Sequence, residues 1–125
     1  MEQIRTDKAP LPLACYSQAV RAGGFLFISG QVPLDPETKK PVEGGIESQT
    51  RQALENVKAI VEAAGSSLKK VVKVTIFLKN IHDFKKMNDV YCTYFTKDFP
   101  ARTTVQAQPA LQELLIEIEA IAFLG

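Results

Sequence analysis

Residues 48–79 read "SQTRQALENVKAIVEAAGSSLKKVVKVTIFLK", and the change of period inside this stretch decides the fold. In its first half Ala53, Leu54, Val57, Ile60, Val61 and Ala64 recur at helical spacing and form one apolar stripe. Ser48 reads as the N-cap, although Arg51 stands where a capping box would place an acid, and Gly65 occupies the position of a C′ glycine. In the second half the period drops to two. "VVKVTIFLK" is rich in β-branched residues and reads as a strand. Alternation puts Val72, Val74, Ile76 and Leu78 on one face and Val71, Lys73, Thr75 and Phe77 on the other, so the second face is only partly apolar.

Working outward, residues 1–13 contain Pro10 and Pro12 and read as an extended arm. "YSQAVRAGGFLFISGQV" reads as a hairpin turning at Gly23-Gly24, with Phe25 to Ile28 in a buried second strand. Residues 29–45 hold three prolines and three glycines and read as a loop. Downstream, "HDFKKMNDVYCTYF" predicts a second helix, with an apolar stripe of Phe84, Met87, Val90, Tyr91, Tyr94 and Phe95 that belongs to the core. "ARTTVQA" and "ELLIEIEAIAFL" predict two last strands, which gives the order β-β-α-β-α-β-β. Two helices cover one face of such a sheet. The final strand is apolar on both sides except for two glutamates, so the other face is expected to pack on another subunit.

The totals bound the function. A chain of 125 residues reads as one domain, residues 1–125, and 46% apolar residues are enough for a core. Fifteen basic and fourteen acidic side chains leave a net charge of +1, which argues against nucleic acid as the main partner. No apolar run is long enough to span a membrane and the polar N-terminus has no targeting pattern, so the expected location is the cytoplasm. Cys15 and Cys92 are far apart and read as free thiols; with a single histidine, His82, no zinc site is expected.

Several residues have chemistry to offer. In "LLIEIEAIAF", Glu117 and Glu119 point from the same face among large apolar neighbours, and each needs a cation or a donor if it is buried. Arg102 and Thr104 share one face of the preceding strand. If the last two strands meet in one sheet, Arg102 can approach the glutamates from within the subunit or across an interface. Guanidinium suits a planar carboxylate, and a glutamate beside it could hold a water. Ser29-Gly30 ends a strand where backbone N–H groups could receive an anion. Tyr16, at the start of the first strand, and Asn88, on the second helix near its apolar stripe, are pocket candidates whose ordinary reading is packing or exposure.

"YSQAV", "ISGQVP", "QALENVKAIVEAAG", "VVKVTIFLKNIHDFKKMNDVY", "YFTKDFPART" and "IEIEAIA" together resemble the RidA family of reactive-intermediate deaminases, also called the YjgF family, from about Ala9 to the C-terminus. The resemblance implies a chorismate-mutase-like α+β domain, a mixed sheet with two helices on one face. It also implies a homotrimer with clefts between subunits. The implied reaction is hydrolysis of enamines or imines such as 2-aminoacrylate and 2-iminobutanoate, released by pyridoxal-phosphate-dependent dehydratases, to 2-oxo acids and ammonia without cofactor or metal.

Carried over residue by residue, Arg102 grips the substrate carboxylate and Glu117 holds and activates the water. Tyr16 lines the cleft from a neighbouring chain, Ser29 and Gly30 line the pocket, Asn88 lies near it, and Thr104 offers its backbone N–H. Many relatives have Gly-Pro where this chain has Ala14-Cys15, and cysteine where it has Thr104. The competing expectations are a ribonuclease or translation inhibitor, and a noncatalytic trimer that binds small carboxylates or acts as a chaperone.

Overall fold

A computed structural model covers residues 1–125 and contains one six-stranded sheet of order β1-β2-β3-β6-β4-β5. The strands are β1 (Glu2–Ile4), β2 (Ala19–Ala22), β3 (Phe25–Gln31), β4 (Val71–Leu78), β5 (Ala101–Gln106) and β6 (Ile116–Phe123). The helices are α1 (Ile46–Ala63) and α2 (Phe84–Tyr94). All neighbouring pairs are antiparallel except β4 with β5, so the sheet is mixed, as expected. The short β1 is an addition to the expected order. Its residues carry no apolar alternation; they are a strand because the backbone of β2 offers them a ladder, Glu2 opposite Arg21 and Ile4 opposite Ala19.

The apolar stripe of α1 covers β3 and β6 and shares one core cluster of 22 buried residues with Leu26, Ile28, Val74, Ile76, Ile116, Ile118 and Ala120. The helix starts earlier than Ser48. Its N-cap is Gly45, and the Ser48 hydroxyl turns back to donate to the carbonyls of Glu43 (2.7 Å) and Gly45 (3.2 Å). Its end follows the expectation at Gly65, whose φ of 83° lets Gly65 N–H reach Glu62 O and Ser66 N–H reach Val61 O, both at 3.0 Å. Asn56, fully buried on α1, donates to the carbonyls of Val32 and Leu34 and accepts from Gln52, which clamps the loop after β3 onto the helix.

Strand β4 departs from strict alternation. Val71 pairs with Ala122 and Lys73 with Ile121, so Val72 is the extra residue of a bulge. Val71 is therefore buried and Val72 is 43% exposed, and the predicted faces hold only from Lys73 onward. The face away from the helices carries Phe25, Phe27, Ile121 and Phe123 beside Lys73, Thr75 and Glu119, and the rings of Phe25 and Phe123 lie 5.5 Å apart. No helix of the chain is long and apolar enough to cross a membrane.

Candidate functional site

The first half of the site is built around a second bulge. Ile28 pairs with Ala120 and Gln31 with Ile118, so β3 spends one more residue than β6 at Ser29-Gly30. The Glu117 side chain lies over Gly30: a Cβ there would stand 2.9 Å from its carboxyl carbon and 3.0 Å from its Cγ. Glycine is needed here for space. Ser29 is tied to the preceding segment by its N–H to Gln18 O (2.9 Å) and its hydroxyl to Ser17 O (2.6 Å), which leaves the hydroxyl oxygen free to accept. Above the bulge opens a cleft of about 570 Å³. Ser29, Gly30, Glu117 and Glu119 form its polar side, and Pro10, Leu11, Leu13, Ala14 and Leu111 its apolar side. Tyr16 lies on its rim, 51% exposed, and in the loop before β2 rather than in a strand. The ion pairs of the chain are Arg21 with Glu2 and Lys85 with Asp89, so neither glutamate of the cleft has a cation.

The second half lies on the other face of the sheet. Register pairs Val74 with Arg102 and Ile76 with Thr104, which turns both β5 side chains toward the helices. One Arg102 nitrogen donates to Asn88 Oδ1 at 2.8 Å. The guanidinium carbon lies 4.6 Å from the ring centre of Tyr91 and 5.5 Å from that of Phe84. Phe84, Asn88 and Tyr91 are spaced i, i+4, i+7 on α2, so one helix stripe orients the cation by neutral contacts alone. Burial pushes the Tyr91 phenol above its usual range, with the Arg102 charge opposing; the guanidinium sits over the ring, and the hydroxyl has no hydrogen-bond partner. Thr104 Oγ1 is likewise buried without a partner.

These positions correct one expectation. The last two strands do not meet, because β4 stands between β5 and β6. Thr75 pairs with Glu119 and Phe77 with Glu117, opposite in sense to the buried Val74 and Ile76. Arg102 and Glu117 therefore point from opposite faces of one chain, and the approach from within the subunit is closed. Tyr16, Ser29, Gly30 and Glu117 come together in one half; Arg102, Asn88 and Thr104 in the other. The apolar stripe alone places Phe84 and Tyr91 in the core, although their spacing around Asn88 signals the second role. Periodicity passes over Gln18, because it acts through a side-chain amide.

A mixed sheet with helices on one face and a glycine bulge under a glutamate defines the α+β class expected above. The profile of the family described as Endoribonuclease L-PSP matches residues 6–124. A RutC family protein of Pyrococcus horikoshii is 56% identical over 122 residues, 98% of this chain and 97% of the relative. Among solved structures, RidA from an Antarctic Psychrobacter is 44% identical with a TM-score of 0.92, covering 98% of this chain and 99% of that one. Escherichia coli TdcF with bound serine is 38% identical with a TM-score of 0.93, covering 98% of both chains. The chain belongs to the RidA/YjgF family, the family that the L-PSP profile describes.

Proposed function

We propose that this protein is a cofactor-independent deaminase of 2-imino acids, working at sites completed between the subunits of a homotrimer. Arg102 holds the substrate carboxylate, with Asn88 orienting it and Thr104 beside it. Glu117 holds a water over the bulge, and Ser29, Gly30 and Tyr16 of the adjoining subunit enclose the imine. The water adds through oxygen to the iminium carbon while Glu117 takes its proton. Glu117 passes that proton to nitrogen, the C–N bond breaks as the new hydroxyl gives its own proton back to Glu117, and the released ammonia takes that proton, so the products are a 2-oxo acid and ammonium. The imine carbon is already electrophilic, so placement and one base suffice.

The observation that carries this reading is the pair of unmatched charges: Arg102 faces no carboxylate of its own chain, and Glu117 no cation. A carboxylate ligand between two copies satisfies the first while leaving the second free for water. A serine-bound relative supports a small amino-acid-like ligand in this family. The test couples a serine or threonine dehydratase to the protein and follows imine decay with wild type, Arg102→Ala and Glu117→Ala side by side. Acceleration by wild type and its loss in both variants is expected. No acceleration, or full activity in Arg102→Ala, overturns the proposal. The same preparations assayed on RNA test the activity named in the family description; cleavage that falls with Arg102→Ala would favour it instead.

A further inference from the structure

The cleft wall opposite Glu117 is made by a segment that almost no ladder holds. β1 ends at Ile4, and from there to Gln18 the chain crosses the cleft as an irregular arm bearing Pro10 and Pro12. Proline has no N–H, so this arm cannot simply pair with a strand. Its carbonyls and N–H groups need partners from elsewhere.

One side chain supplies them. Gln18 is 1% exposed. Its Oε1 accepts from Thr6 N–H at 2.8 Å, and the two hydrogens of its Nε2 serve three carbonyls, Thr6 (2.9 Å), Pro10 (2.9 Å) and, through a shared hydrogen, Ala9 (3.2 Å). With the N–H and C=O of Thr6 both bound, the amide imitates the next rung of the β1–β2 ladder, which stops at Ile4 opposite Ala19. The orientation is forced: only oxygen can accept from Thr6, and only nitrogen can face three carbonyls. The backbone of the same residue accepts from Ser29 N–H, so the Gln18 position joins the arm to the bulge beneath Glu117.

We infer that Gln18 is the positioning residue of the substrate cleft. It sets the width between the Leu11–Ala14 wall and the Ser29-Gly30 bulge, and it fixes the loop that carries Tyr16. It touches no reacting atom. Its effect reaches substrate through the arm, so it governs binding more than the chemical step. This rests on the proposed site between Glu117 and the arm.

The experiment compares wild type, Gln18→Glu and Gln18→Ala. Glutamate keeps the shape but, when ionised, offers only acceptors to three carbonyls. Three measurements are made: hydrogen exchange of residues 5–16, KM and kcat for imine hydrolysis, and the Kd of 2-oxobutanoate as a product probe. Faster exchange confined to the arm and Tyr16, KM and Kd raised on the order of tenfold, and kcat within about threefold are expected, since losing one or two net hydrogen bonds is worth about that factor. Gln18→Asn, one methylene shorter, should restore part of the protection. An arm that exchanges as in wild type in Gln18→Glu overturns the inference, as does a loosened arm with unchanged KM and Kd. If wild type hydrolyses no imine, the deaminase reading fails, while exchange and 2-oxobutanoate binding still decide the role of Gln18.

Discussion

Replacing Gly30 by alanine separates the fold from the chemistry. The added Cβ would fall within 3.0 Å of Glu117 Cγ and 2.9 Å of its carboxyl carbon, so the glutamate must leave. The obstacle is a half-exposed side chain and not backbone, and Gly30 does not have a positive φ. Moving Glu117 off its rotamer costs about 0.5–1.5 kcal/mol. Alanine recovers about 0.4–1 kcal/mol by restricting the unfolded chain. The net change is within about 1 kcal/mol, or roughly 3–5 °C in Tm for a chain of this size. Losing a placed general base costs roughly 10²- to 10⁴-fold, which is about 2.7–5.4 kcal/mol on the barrier.

Activity should therefore collapse in a protein that still melts nearly as before. Coupled dehydratase kinetics and thermal melts on Gly30→Ala, Glu117→Ala and the double variant make the cycle. With Glu117 truncated, alanine at position 30 should cost no further activity and no Tm, because the clash is gone. A Gly30→Ala protein with more than about a tenth of wild-type activity would refute a reacting role for Glu117. A Tm penalty that persists in the double variant would mean that the bulge itself, not the carboxylate, demands glycine.

Mixing Arg102→Ala chains with Glu117→Ala chains, unfolding and refolding together, should restore about a quarter of wild-type activity, since that share of interfaces joins one intact Arg102 to one intact Glu117; no recovery would argue for a site within one chain. Asn88→Ala should raise KM roughly tenfold at little cost in kcat, because the guanidinium loses its 2.8 Å orienting bond but keeps its charge, and steady-state kinetics will show it. Tyr91 is raised above 10.0 by burial, so above that pH the unfolded chain releases its proton first and stability falls as pH rises. Denaturant titrations should show Tyr91→Phe removing part of that alkaline loss, and gaining about 1 kcal/mol at neutral pH because its buried hydroxyl has no partner.

The periodicity of residues 48–79 made helix α1 and strand β4 legible, because a one-sided core imposes period 3.6 on the first and period two on the second. It could not show the bulge at Val72, since every residue around it is acceptable in a strand and only the spacing of β6 betrays the extra one. Polar β1 was invisible because its ladder comes from β2. Candidate residues were legible by type: Arg102, Glu117 and Gly30 each stood out. What stayed hidden was their relation, because alternation fixes faces within a strand and not between strands. The face of Arg102 relative to Glu117 depends on the register of β4 with both β5 and β6.

That relation bears on how such a site keeps its charges available. Had Arg102 and Glu117 shared a face, a bidentate ion pair within one chain would have tied up the cation that, in the proposed mechanism, takes substrate and the base that takes water's proton. A carboxylate ligand would then compete with a tethered carboxylate at high effective concentration. Opposite faces of one sheet exclude that pair whatever the side-chain rotamers. Arg102 is instead held by an amide oxygen and two aromatic faces, which orient it without cancelling its charge. Glu117 is held by shape over a glycine, which keeps its carboxylate free of cations. On the proposed reading, assembly brings the two together at a distance set by subunit packing, leaving between them the width of one small imino acid and one water.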